Sequence, residues 1–254
     1  MSYRQPFTTL VKLRAVVEVT LCLAIVHTAC KTFRRFTSLG QEEVALRLNY
    51  SLGWMLALAA FGMVWGLRRD FAAYGLDIRR WPEEARATMA RWAVRTRTPA
   101  WAWWWGLALF AAGCVALRWW RIPNHHTLLV LGWQFFATPP GEEIFFRGYM
   151  QSRLNEAFPR RWSVRGVRFG YGLWITALFF GLLHAFNTVD YFEGRWTFAW
   201  TLALSTTFSG VMFGLVREAA GSIVPGIILH LAINLYWSTH MPPEAWAWLS
   251  RPWG

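Results

Sequence analysis

A chain of 254 residues that is 55% hydrophobic, 18% aromatic and only 16% charged fits one membrane-embedded domain better than two soluble ones. Its formal charge of +12 does not point to nucleic acid, because the arginines gather in links between apolar segments and no soluble nucleic-acid-binding motif is present. Cys22, Cys30 and Cys114 are odd in number and scattered, so they suggest neither a disulfide framework nor a metal cluster and read as buried small side chains.

Seven stretches are apolar over a length that spans, or nearly spans, a bilayer: 13–30, 50–67, 101–120, 127–150, 170–186, 196–215 and 222–237. They predict an all-α fold, a polytopic transmembrane helix bundle with about seven to eight membrane helices. The whole of 1–254 forms one integral-membrane domain in this reading, with a catalytic core at about 127–237. Arg4, Lys12 and Arg14 precede the first stretch as in a secretory signal, and His27-Thr28-Ala29-Cys30 faintly resembles a lipoprotein cleavage box. Glu18 interrupts that apolar run, so a retained first helix fits better than a cleaved signal. A carboxylate at such depth reads as a proton-relay group or as the partner of a buried arginine.

The link 68–100 carries eight arginines against four acids. Its Trp81-Pro82-Glu83-Glu84 start, followed by spaced Ala, Met, Trp and Val, predicts a surface helix that either lies along lipid headgroups or presents a solvated charged face. Trp101, Trp103, Trp104, Trp105, Trp119 and Trp120 bracket the third stretch as an interfacial aromatic belt does. A second basic link holds Arg153, Arg160, Arg161, Arg165 and Arg168, while the links near Arg121, Arg195 and Arg217 are poor in positive charge. That bias predicts a cytoplasmic N-terminus and, with seven spans, a C-terminus on the other side. Further on, Gly210-x-x-x-Gly214 predicts a helix-packing groove, Pro225-Gly226 a bend ahead of His230, and the Trp-rich tail 242–254 an interfacial end.

The fourth stretch contains Thr138-Pro-Pro-Gly-Glu142-Glu143-Ile-Phe-Phe-Arg147. Its prolines predict two helical pieces, 127–137 and 141–155, that meet at a kink, with both glutamates opening the second piece where a helix N-terminus favours negative charge. An ionised group near the bilayer centre costs about 2.5–3.5 kcal/mol or more, so two adjacent carboxylates there mark function. Consecutive helical residues point about a hundred degrees apart, so the two cannot do one job. Glu143, one turn before Arg147, is expected to pair with it, leaving Glu142 to face water. Two later apolar helices carry Phe180-x-x-x-His184 and His230-x-x-x-Asn234, the second pair on one helix face. Glu142, His184, His230 and Asn234 are expected to converge on one water-accessible cavity, which requires the fifth helix to extend past Phe186. His27, His125, His126 and His240 read as structural or interfacial.

Glu-Glu-x-x-x-Arg, Phe-x-x-x-His and His-x-x-x-Asn, in that order between Thr138 and Asn234, resemble the CPBP family, the CAAX endopeptidases and related bacterial membrane proteins. Tyr74-Gly75-Leu76 is similar to a short motif of that family. The resemblance implies an intramembrane endopeptidase in which Glu142 with His184 activates a water, His230 and Asn234 hydrogen-bond the oxyanion, and Glu143 and Arg147 support them. Elementary chemistry agrees, since hydrolysis needs a base, oxyanion donors and an acid for the leaving amine. The implied substrate is a membrane-associated or lipid-modified peptide or protein, such as a C-terminal sorting tail, a bacteriocin leader or a prenylated CAAX tail. Arginine far exceeds lysine, a hint of a GC-rich bacterial genome that favours the first two and places the chain in a bacterial cytoplasmic (inner) membrane. Membrane lipid is then its surrounding partner, with no nucleic acid. No cofactor or metal is expected, because asparagine is a poor zinc ligand and no His-Glu-x-x-His is present, although zinc held by His184, His230 and a glutamate stays open. Thr207-Phe208-Ser209-Gly210 lacks the leading glycine of a rhomboid-like serine motif. Non-catalytic readings are a membrane protein of the same fold acting in self-immunity or assembly, or a proton-coupled transporter.

Overall fold

The computed structural model describes residues 9–36, 41–121, 132, 135–164 and 166–240. Helices α1 (Thr9–Phe36) and α2 (Gln41–Gly66) pack together. Ala15, Val19, Leu23, Val26 and Cys30, three or four residues apart, form the buried stripe of α1 against Leu56, Ala57, Ala60 and Val64 of α2. The opposite stripe of α1 is equally apolar yet open: Leu10, Leu13, Val17, Leu21 and Ile25 are 45–73% exposed. A helix that is apolar on both faces is not built for water on its outer side.

After α2 the chain turns through Arg68, at φ 50°, into an elbow ending at Arg80. Helix α3 (Trp81–Thr96) follows, opened by Pro82 in its first turn and closed by Arg97 in the left-handed region. Thr88 and Met89 face inward, whereas Arg86, Ala87, Ala90 and Arg91 face outward, so α3 is the expected surface helix. It lies against α4 (Ala100–Arg121) and α9 (Val224–His240).

The glutamate segment is the rod around which the rest packs. It runs without a break from α5 (Thr138–Glu143) through a π-helical stretch (Ile144–Gln151) to α6 (Ser152–Ala157), and every π-helical residue is buried. Between them these pieces touch α1, α2, α7 (Tyr171–Ala185), α8 (Trp200–Ala220) and α9. As expected, two helical pieces meet at the prolines: Phe135 and Phe136 are helical, Ala137 breaks the helix at φ −122° and ψ −69°, and a new helix opens at Thr138, carrying the prolines. They occupy its first turn, where a missing amide hydrogen costs nothing, so the helix begins at Thr138 rather than Gly141. Glu142 and Glu143 therefore sit past the first turn, where the helix N-terminus gives a carboxylate little support. The preceding piece, 127–137, lies almost wholly outside the described residues, as do the tail 242–254, Arg4, His125, His126 and Arg165.

A short antiparallel hairpin, β1 (Trp162–Val164) with β2 (Val167–Phe169), pairs Trp162 with Phe169 and Val164 with Val167 in what the sequence reads simply as a basic link. Helix α7 stops at Ala185 and is prolonged by a single 3-10 turn, Phe186–Thr188. Helices α7 and α8 then cross closely. A Cβ on Gly210 would lie 3.1 Å from the Ala177 backbone, and one on Gly214 would lie 3.1 Å from Leu173, so the glycine pair is the packing groove its spacing predicts.

The helical class holds, but the expected set of membrane helices needs correction. Among the described residues no helix is long and apolar enough to cross a membrane. The physical reason differs along the chain. The 15 residues of α7 and 17 of α9 reach roughly 22 and 26 Å at about 1.5 Å per residue, short of a hydrocarbon core of about 30 Å. The glutamate rod carries Glu142, Glu143, Arg147, Arg153 and Glu156, and the long α1 contains Lys12, Arg14, Glu18 and Lys31.

Candidate active site

Backbone contact fixes where the glutamates lie. Helices α2 and α5 touch at two glycines: a Cβ on Gly141 would strike the Gly53 carbonyl, and one on Gly53 would strike the Ala137 carbonyl. Five residues past Glu143, Gly148 meets the elbow, where a Cβ would lie 2.6 Å from Leu76 Cδ2 and 3.4 Å from the Tyr74 carbonyl oxygen. Tyr74 and Leu76 are almost wholly buried by that contact. The rod is thus gripped on both sides of its charged residues by elements that carry none of the three polar motifs.

His230, on α9, is the centre of the cluster. Its Nδ1 hydrogen-bonds Glu143 Oε1 at 3.0 Å, and its Nε2 lies 3.8 Å from Glu142 Oε2. The imidazole stacks on Phe213 of α8, with centroids 4.6 Å apart and planes 21° from parallel, and meets the edge of Phe180 at 6.0 Å. The start of α9 approaches through Gly226, where a Cβ would stand 2.9 Å from Glu143 Oε2. Glu142 is 4% exposed and Glu143 not at all; in each, Oε2 is buried without a hydrogen bond among the described residues.

Arg147 is fully buried, and the surroundings of its charge are specific. Nη1 lies 3.4 Å from Glu143 Oε1, Nη2 donates to the Gly210 carbonyl at 3.2 Å, and the guanidinium sits 4.4 Å from the Phe180 ring centre and 5.2 Å from that of Phe213. A carboxylate, a carbonyl and two aromatic faces together offset the loss of water around the cation. Gln151, four residues on, repeats the step: its Nε2 donates to the Gly214 carbonyl at 3.1 Å. Two π-helix side chains four apart therefore engage two α8 carbonyls four apart, both exposed to approach by glycine.

His184 is tied to its own helix. Its Nδ1–H donates to the Phe180 carbonyl of its own helix at 2.8 Å, which leaves Nε2 of the neutral ring as an acceptor. Among the described residues no direct contact joins it to Glu142; the histidine beside Glu142 is His230. The Phe180 ring, 4.7 Å from His184 and 6.0 Å from His230, links the two imidazoles. Asn234 lies one turn after His230 on α9 and is half-buried. The structure thus brings Glu142, Glu143, Arg147 and His230 into direct contact, with His184 one aromatic ring away.

Glu18 belongs to another cluster. Arg69 lies 2.9 Å and Arg153 3.0 Å from its oxygens, and the Tyr149 hydroxyl donates to it at 3.0 Å. Of the two readings of this residue, arginine partner is the one the contacts support. His27 pairs with the Tyr191 hydroxyl at 3.0 Å, away from the glutamates. Sequence reasoning missed Phe213, which stands in no motif, and the crossing of Gly141, inside the glutamate motif, with Gly53. Gln151 had a legible signal in its four-residue spacing from Arg147.

Among the described residues no three His, Cys, Asp or Glu side chains are disposed to hold a metal ion. Residues 123–236 match the family model described as type II CAAX prenyl endopeptidase Rce1-like, which is the family the three motifs resemble. No curated protein and no solved structure gave a match.

Proposed function

We propose, starting from the membership of residues 123–236 in the Rce1-like CAAX endopeptidase family, that this chain is a glutamate-dependent intramembrane endopeptidase. The observation that carries the reading is the His230 imidazole set between two buried carboxylates, within 3.0 Å of Glu143 and 3.8 Å of Glu142. Glu143 is tied to both Arg147 and His230 and so orients the histidine. Glu142, which among the described residues makes no ion pair with an arginine, is the carboxylate left to take a proton. A gap of 3.8 Å is too long for a direct hydrogen bond but lets one water bond both groups.

In this mechanism Glu142 removes a proton from that water as its oxygen attacks the scissile carbonyl carbon. The Asn234 amide then donates to the oxyanion, joined by His230 Nε2–H when the ring also carries the Nδ1–H that Glu143 accepts, and Glu142 passes its proton to the leaving amine. His184, with Nδ1–H committed to Phe180, borders the site across the Phe180 ring with Nε2 free of that bond. Burial strengthens each of these interactions relative to water.

The same reading makes the chain a polytopic membrane protein of a bacterial inner membrane with a cytoplasmic N-terminus. The support is the apolar outer surface: besides the outer stripe of α1, Trp101, Trp105 and Leu109 on α4 and Leu204 and Phe208 on α8 are more than three-fifths exposed. The substrate is a peptide segment presented at or in the membrane, lipid-modified or not. Reconstituted protein offered a membrane-anchored peptide and its farnesylated counterpart is expected to cleave at least one, and Glu142→Gln neither. Cleavage that survives Glu142→Gln would refute the glutamate mechanism.

A further inference from the structure

We propose that one end of the bundle, formed by α3 and the β1–β2 hairpin, is a binding face for anionic phospholipid headgroups. The proposal rests on the membrane reading given above and adds to it a lipid class and a location.

The two elements leave the bundle at the same place. Arg217, near the end of α8, donates to the Ala73 carbonyl of the elbow at 3.3 Å. Its neighbour Glu218 takes Arg160, just ahead of the hairpin, at 2.8 Å. One turn of α8 therefore anchors both the approach to α3 and the approach to β1. From this shared base each element presents both cations and apolar side chains. On the α3 side Ile78 is 58% exposed two residues before Arg80, and Arg80 and Arg86 are both exposed; on the hairpin Trp162 and Val164, 39% and 58% exposed, share one face, and the exposed Arg168, paired with Ser163, stands on the other. Surface salt bridges do not use up these charges, since among the described residues Arg80, Arg86 and Arg168 make no ion pair. Of the nearby acids, Glu83 is exposed in the first turn of α3 and the others are engaged elsewhere. Asp77 is bonded to Arg79, whose guanidinium holds its carboxyl below the ordinary carboxylate range, Glu84 is bonded to Ser222, and Glu218 also accepts from Gln151 and Asn155.

Arginines alternating with outward apolar groups suit a headgroup layer, where the cation meets phosphate and the apolar side chain enters the acyl boundary. The apolar members argue against a purely solvated charged face. The face also touches the catalytic helix: Glu84 of α3 holds Ser222, two residues before α9 begins, and a Cβ on Gly75 in the elbow would lie 3.3 Å from Ile223.

The test uses the full chain in nanodiscs of equimolar phosphatidylcholine and phosphatidylglycerol, with the lipids that stay bound on detergent extraction counted by native mass spectrometry. Wild-type protein is expected to retain phosphatidylglycerol in excess. The Arg80→Gln, Arg86→Gln, Arg168→Gln triple variant should lose that selectivity by about fivefold for each arginine removed. The matching Arg→Lys triple should keep it, as should Arg195→Gln, where the cation removed is already paired with Asp190 and Glu193. Equal retention of the two lipids by wild type, or unchanged selectivity in the Gln triple, would overturn the proposal; should the triple melt below wild type in pure phosphatidylcholine, single Arg80→Gln is read instead. Protein that an alkaline carbonate wash strips from membranes would instead remove the membrane reading beneath it.

Discussion

Replacing each glutamate by glutamine separates two roles that adjacency in the sequence conceals. Glu143 is wholly buried and serves two partners, His230 Nδ1 at 3.0 Å and Arg147 Nη1 at 3.4 Å. Glutamine keeps the oxygen that His230 needs but takes the counter-charge from an arginine with no exposure, and breaking a buried pair in this way costs about 3–5 kcal/mol. The aromatic faces and the Gly210 carbonyl persist, so the lower end applies. At about 2–4 °C per kcal/mol for a chain of this size, Glu143→Gln should melt roughly 6–12 °C below wild type. Among the described residues Glu142 makes no ion pair with an arginine and only a 3.8 Å approach to His230, so Glu142→Gln should shift stability by less than about 1 kcal/mol. Activity should reverse that order: loss of the general base lowers turnover by about 10²–10⁴-fold, whereas Glu143→Gln should retain measurable cleavage in its folded fraction. Thermal unfolding in detergent and peptide cleavage in vesicles, read by mass spectrometry, give the two axes. A Glu142→Gln protein that cleaves normally, beside a Glu143→Gln protein that is dead yet melts with wild type, would show the roles to be exchanged.

Cleavage is expected to persist in strong chelator; activity lost on removal of stoichiometric zinc and regained on its return would overturn the metal-free assignment. Gly141→Ala should lower the melting temperature by at least the equivalent of about 1–3 kcal/mol, because its methyl group meets the Gly53 carbonyl rather than a side chain that can move. If Gly141→Ala melts with wild type, the close crossing of α2 and α5 is wrong. Glu18→Gln leaves Arg69 and Arg153 without their shared carboxylate and should destabilise the protein by about 3 kcal/mol while the folded fraction keeps its cleavage rate. A loss of turnover with stability intact would instead place Glu18 in proton delivery.

What could be read from the chain divides by physical cause. Glu142, Glu143, Arg147 and His230 were legible because a charge in an apolar run is costly enough to demand a reason, and helical spacing says which charges share a face. The helix-packing role of Gly210 and Gly214 was legible for the same geometric reason. The histidine nearest Glu142 was not, since it depends on how far α7 and α9 advance toward the rod, and no local pattern encodes that distance. Pro139 and Pro140 marked the break between two helical pieces, but not its exact place: proline is tolerated in a helix's first turn, so the second piece opens at Thr138 rather than Gly141. The spans were overestimated for a different reason: runs of tryptophan, glycine and alanine look uniformly apolar in sequence, but they fold into helices that are short or that carry charge.

The grip of α2 on α5 has a consequence for where the protein can be cut. The matched segment begins at residue 123, yet Phe145 and Tyr149 of the π-helix belong to one core with Val19 and Leu56 of the two helices that precede it. Arg153 finds its carboxylate on α1. The chemistry therefore occupies a smaller piece of chain than the cooperative unit that supports it. A fragment starting near residue 123 would retain every residue of the three motifs and still uncover an arginine, a tyrosine hydroxyl and the aromatic wall behind the glutamates. Such a fragment should regain activity only when the first two helices are supplied again, whether in the same chain or as a separate one.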